Sequence, residues 1–403
     1  FKATGERIEI IDEFPQFSYI LADMHPHVLS MPFVILAITI ALNIYYGVVK
    51  NTEGKLNIIE WFQQQFQPVG EEKPTFSDLY IAEWLKEPVF WLITLVCGGI
   101  SFFNTWDYPV YVGLFSLCVL VFNSAKLGWS RKRIYEFLET GILTGVLGIV
   151  MYLPFFLSFD NQAGGLLPSI NFFTRGKYFW IMFGTLLVPL LIWLFWMAKK
   201  NKHVFHKQVG LWAATSLVFV PWVVSYLVGA GFLTIVPMLE SEHLNYLRGR
   251  FEWLQGSADN TTILLGSIAD RIESPVTWIT LLIGLYLVWG LLFSKPTAQR
   301  EKKVKSKINP ADPDRFIALL ILLGLGLTLV PEFVYLLDQF GTRMNTIFKF
   351  YFQAWILWSI AAGYGTVMIW TNMKGGLGIL ARVASVIVIL IGFAYPVYAI
   401  KTM

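Results

Sequence analysis

Ten apolar runs punctuate the chain: residues 30–48, 88–103, 108–124, 139–159, 178–198, 209–229, 276–293, 315–331, 350–371 and 379–399. A bilayer core about 30 Å thick takes roughly 20 apolar residues in helical form. The pattern therefore predicts an all-α, polytopic bundle of about ten transmembrane helices, read as one transmembrane domain over residues 1–403. Run 139–159 holds several glycines, which membrane helices tolerate better than soluble ones. Only NTWDYP, residues 104–109, separates the second run from the third, and its polar residues and proline predict a tight turn. Loop 49–87 carries two amphipathic stretches, 56–66 and 76–85, whose Trp61, Phe62, Phe66, Tyr80 and Trp84 suit helices lying in the headgroup layer. Segment 230–275 is long enough to fold over a site as a lid. Segment 294–314, with Pro296, Pro310 and Pro313, reads as a charged linker.

Composition agrees with this picture. Hydrophobic residues make up 56% of the 403 residues and charged residues 14%, against about 25% charged in a soluble domain. That excludes a disordered chain, a coiled coil, a secreted disulfide scaffold and an ordinary cytosolic enzyme. Cys97 and Cys118 lie inside apolar runs and form no CxxC pattern. The net charge of +4 gives no basic patch for nucleic acid. The distribution of charge says more than its sum. Taking alternate loops as inside, 21 of the 31 Lys and Arg residues fall on one side, including Arg131-Lys132-Arg133 and Lys199-Lys200. This orientation puts Phe1 outside, in the plasma membrane of a cell, and leads us to expect at least one more helix before Phe1. It puts loops 49–87 and 294–314 on the cytoplasmic side.

The polar residues that remain outside collect in clusters. The first, in residues 12–33, brings Asp12, Glu13, Asp23, His25 and His27 just before a membrane helix. Pro26 suits a first helical position. An extended chain would put Asp23, His25 and His27 on one face, suited to a divalent metal such as Mg or Mn, or to a phosphate. A helix starting at Pro26 would fan them around its positive end, and simple capping by Asp23 or His25 is the plainer alternative. The second cluster is Asn104 and Asp107 in the NTWDYP turn, where a turn alone would account for both. The third, residues 331–351, holds Glu332, Asp338, Arg343, Asn345 and Lys349. Arg343 and Lys349 need anions, either Asp338 and Glu332 or a lipid phosphate, for which an Arg fork is well shaped. A fourth, Arg248 to Arg271, carries a weak signal. His203 and His206 read as solvated, and His243 is isolated. No phosphate-loop, GxSxG, HExxH or dinucleotide-binding glycine pattern occurs.

Three segments carry a resemblance: EFPQFSYILADMHPHVLSMPF, FNTWDYPVY and FGTRMNTIFKFYFQAW, together running from Glu13 to Trp355. They resemble the Chlor_Arch_YYY family of uncharacterised prokaryotic membrane proteins, placed in the GT-C glycosyltransferase clan. The residues DE at 12–13 and DMHPH at 23–27 are also similar to the Asp-Glu and Asp-x-His-Pro pattern of protein O-mannosyltransferases, with a shorter gap here. The resemblance implies a multi-pass transferase that takes a sugar from a polyprenyl-phosphate carrier. It implies a carboxylate base, Asp23 first and Glu13 or Asp12 next, and leaving-phosphate stabilisation by Arg343 and Lys349, with His25 and His27 acting directly or through a metal. Asn104, Asp107 and Asn345 would orient sugar or acceptor. The alternatives are a transporter or lipid flippase and a non-catalytic lipid-binding subunit. Against transport, the runs hold almost no ionisable residue.

Overall fold

The computed structural model describes residues 14–22, 24–47, 54–66, 73–159, 164–170, 172–255, 259–293, 312–338 and 342–402. These residues are helical throughout, apart from connecting turns and two short strands. Each of the ten apolar runs falls on a helix. Among the described residues, eight helices are long and apolar enough to cross a bilayer. Of the remaining two runs, 88–103 forms the 16-residue helix Pro88–Phe103. The other forms Val276–Leu292, bent by 67° from the preceding Asn260–Glu273.

One span begins earlier than the hydropathy suggests. The helix containing run 139–159 starts at Arg131 and ends at Met151, with a short helix Leu153–Ser158 after it. Arg133 and Glu136 are buried within it and pair at 2.6 Å, so two charges that look like loop residues belong to the helix. Pro154 removes a backbone donor just where the long helix stops.

The chain divides into two compact units. One comprises Met24–Asp160 and Pro296–Leu319. Its described long helices are Pro26–Gly47, Pro88–Phe103, Tyr108–Leu127 and Arg131–Met151, around a core of Val34, Ile44, Phe90, Ile93, Phe115 and Cys118. On Arg131–Met151 the buried residues are Arg133, Glu136, Thr140, Thr144 and Gly148. Its exposed face carries Ile134, Leu138, Ile142 and Val146. The apolar stripe of this helix faces outward, as a span bathed in lipid requires. The two amphipathic stretches of loop 49–87 form Ile58–Gln65 and Tyr80–Leu85. A capping box of Asn57 and Glu60 starts the first. The backbone bonds Leu56 N–H to Asp78 O, 2.9 Å, and Tyr80 N–H to Leu56 O, 2.8 Å, tie them together. Segment 294–311 of the expected linker lies outside the described residues.

The other unit comprises Phe1–Asp23, Asn161–Lys295 and Leu320–Met403. Phe179, Phe183, Trp193 and Trp358 fill its centre, with Phe183 and Trp358 edge to face at 5.0 Å. Strand β1 (Gly165–Pro168) pairs antiparallel with β2 (Val334–Leu337). A buried strand pair needs its side chains covered. Here the cover comes from segment 230–275, which folds as the helices Glu242–Gln255 and Asn260–Glu273. Their Leu247, Phe251 and Ile263 pack with Leu167, Ile170, Tyr335 and Leu337.

Candidate functional site

Two motif segments of the first unit meet in space. Pro26 opens the helix Pro26–Gly47, and the carbonyl of His25 accepts the first helical bonds, from Val28 N–H at 2.9 Å and Leu29 N–H at 3.1 Å. His25 is therefore the helix cap by its backbone. With the helix formed, His27 and Ser30 lie three residues apart on one face, and both are buried. His25 stays exposed, its ring 5.2 Å from that of His27. In the NTWDYP turn, Asn104 ends Pro88–Phe103 and Asp107 precedes Tyr108–Leu127. The Asn104 carbonyl accepts from Asp107 N–H at 3.0 Å, so this turn is the expected tight one. Both side chains point inward and are buried.

The Ser30 hydroxyl donates to Asp107 Oδ2 at 2.6 Å and lies 3.1 Å from the His27 carbonyl. The residues His27, Ser30 and Asp107 thus form one buried polar constellation joining DMHPH to NTWDYP. Beneath it, the Tyr108 hydroxyl donates to Gly145 O at 2.5 Å. Tyr108 also occupies the space where a side chain at 148 would begin, so only glycine fits there.

The second unit holds a separate buried network built on Glu332. Pro331 interrupts the helix Pro313–Leu329, and the turn Val330–Glu332 turns the Glu332 carboxylate inward. Glu332 is fully buried. Thr174 donates to it from its backbone N–H, 3.1 and 3.0 Å from the two oxygens, and from its hydroxyl at 2.6 Å. Arg343 Nη1 completes the set at 3.1 Å. The Thr174 hydroxyl lies 2.9 Å from the Tyr351 hydroxyl. Glu332 is thus one anion that Arg343 contacts. Asn345 donates to Asp338 at 2.5 Å. Lys349 follows Asn345 by one turn on the helix Met344–Asn372 and is half-buried.

Arg271 locks the same region. It is buried, donates to the carbonyls of Ser169 at 2.7 Å, Ile170 at 3.2 Å and Glu332 at 3.0 Å, and lies over the rings of Phe173 and Trp278. A guanidinium matches this because its donors form a planar fork and its faces stack on aromatics.

Asp12, Glu13 and Asp23, the expected bases, lie outside the described residues. Among the described residues no group of three His, Cys, Asp or Glu side chains is placed to hold a metal ion. The metal set of Asp23, His25 and His27 includes a residue beyond that description.

A family model described as "Uncharacterized membrane protein (DUF2298)" matches residues 3–358. The chain belongs to this family. The match spans all three motif segments, two of which meet at Ser30 and Asp107 while the third supplies Arg343. No curated protein matches the chain. No solved structure matches it either.

Ser30, Thr174, Tyr351 and the role of Arg271 were not visible from the sequence. Ser30 left a trace, since it stands one helical turn from His27. Thr174 left none: it is 158 residues from Glu332.

Proposed function

We propose that this membrane protein is a glycosyltransferase of GT-C type, moving a sugar from a polyprenyl-phosphate donor to an acceptor on the extracytoplasmic face. The observation that carries this reading is the contact of Ser30 with Asp107 beside His27, which joins two of the three motif segments around a buried carboxylate. The charge pattern supports the outer face, because both segments fall in loops opposite the basic ones. The resemblance of these segments to GT-C proteins supports the class of reaction.

In this reading the acceptor hydroxyl attacks the sugar C1 and gives its proton to a carboxylate. The bond from C1 to the phosphate oxygen breaks, and the polyprenyl phosphate leaves with the bonding electrons. Asp23 is the proposed base, with Glu13 and Asp12 as the alternatives. Asp107, Asn104 and Asn345 orient the sugar or the acceptor. His25 and His27 face the phosphate, directly or through a divalent metal such as Mg or Mn. Arg343 and Lys349 are proposed to assist at the donor phosphate, Arg343 through donors beyond those it gives Glu332, the Pro331 carbonyl and the Thr174 hydroxyl. Membrane lipid and the lipid-linked donor are the proposed partners.

The test is to incubate the purified protein with a panel of polyprenyl-phosphate sugars and measure loss of donor. Turnover by the wild type, absent in Asp23→Asn and reduced in Asp107→Asn, supports the reading. Full turnover by Asp23→Asn removes that residue as the base, and no turnover with any donor counts against the class.

A further inference from the structure

The inner stripe of Arg131–Met151 holds a polar site that takes no part in the proposed transfer. Glu136 is fully buried. Its Oε2 accepts from Arg133 Nη1 at 2.6 Å and from Asn123 Nδ2 at 2.9 Å. Its Oε1 is buried and has no hydrogen-bond partner among the described residues. One turn on, Glu139 Oε1 accepts the backbone N–H of Ile58 at 2.6 Å, while Glu139 Oε2 is again buried and without a partner. Thr144 Oγ1, on the same stripe, is a third such oxygen. Buried polar atoms in folded proteins are overwhelmingly paired, so three unpaired oxygens along one helix face require an explanation.

The charges around the site are committed elsewhere. Arg133 pairs with Glu136, Lys132 with Glu60 at 3.7 Å, and Lys55 with Glu83 at 3.1 Å. The Tyr80 hydroxyl lies against Thr140 at 3.3 Å. Two carboxylates and one guanidinium thus leave a single negative charge, on Glu139, with a backbone N–H as its one described partner. Glu139 is half-buried with its Oε2 covered; withdrawing such a charge from water without a counter-charge is disfavoured, and ionisable residues inside spans mark functional sites.

We propose that Glu136 and Glu139 bind one monovalent cation, a proton or Na+. A single positive charge balances the site. The unpaired carboxylate atoms are oxygens, the ligand type a hard cation takes, and a divalent ion would overcharge the site; Arg133 Nε is a buried unpaired donor beside them. Because Glu139 also holds Ile58, the first residue of the helix Ile58–Gln65, occupancy of the site is linked to docking of that helix.

The experiment uses the full chain in detergent, read by melting temperature in NaCl against choline chloride and by infrared difference spectra across pH. For Na+, the wild-type melting temperature rises with Na+. Glu139→Gln, which keeps the Arg133–Glu136 pair, raises the half-maximal concentration at least about tenfold, or about 1.4 kcal/mol. For a proton, the wild type shows a protonated-carboxyl band that vanishes at high pH and is missing in Glu139→Gln. A wild type with neither signal overturns the proposal, as does either signal persisting unchanged in Glu139→Gln. Asp107→Asn leaves both signals intact, so failure here and failure of the transferase reading are separable.

Discussion

Ser30 and Asp107 stand 77 residues apart in sequence and 2.6 Å apart in space. Ser30→Ala removes the donor and leaves Asp107 buried with one acceptor unmatched, a change that costs about 1–3 kcal/mol. The expected result is a lower melting temperature and reduced donor turnover. Ser30→Thr keeps the hydroxyl and retains more of both. Equal loss in the two variants would argue that the space at position 30 matters and the hydrogen bond does not.

Glu332 and Arg343 form a buried pair whose removal is asymmetric. Glu332→Gln leaves Arg343 and Arg271 together without a carboxylate and is expected to lose about 3–5 kcal/mol. Combining it with Arg343→Met restores part of that loss, because the uncompensated cation goes too. A double-mutant cycle by denaturation reads this directly. Strict additivity would mean that the two side chains are not coupled.

Arg271→Lys keeps the charge but not the planar fork. One ammonium cannot reproduce contacts to Ser169, Ile170 and Glu332 while stacking on Phe173 and Trp278. Each lost hydrogen bond from a charged group is worth about 1.5–3 kcal/mol. Earlier hydrogen exchange in β1 and β2 is expected, with the first unit unchanged. A wild-type exchange pattern in both strands would remove Arg271 from its locking role.

Gly148→Ala drives a methyl group into the Tyr108 hydroxyl. Overpacking of this kind costs about 1–3 kcal/mol. Tyr108→Phe in the same chain relieves the closest contact and recovers part of the loss. Thermal unfolding of the single and double variants decides this.

Asp78 offers a pH-dependent reading outside the spans. The Thr75 hydroxyl and backbone N–H, each bonded to its carboxylate, hold it below the usual carboxylate range. A carboxyl held low in the folded state contributes stability above its ordinary pKa, and that contribution fades as pH falls through the folded value. Exchange at the Thr75 amide is therefore expected to speed up in acid relative to its neighbours, and Asp78→Asn to remove the acid dependence.

The sequence by itself determined the helices. A run of about twenty apolar residues has one stable form in lipid, because a helix satisfies every backbone group internally. All ten runs accordingly became helices. Local chemistry was equally legible: Pro26 opens a helix, NTWDYP turns, and the amphipathic stretches 56–66 and 76–85 form short helices. Tertiary structure decided the partners. Hydropathy could not distinguish Glu136 at a loop edge from Glu136 buried against Arg133 and Asn123, since Asn123 lies on another helix. Nor could it show that Arg343 contacts Glu332, or find Thr174. Those pairings depend on which helix faces meet, and an apolar stripe that satisfies lipid on one side says nothing of the polar contacts on the other.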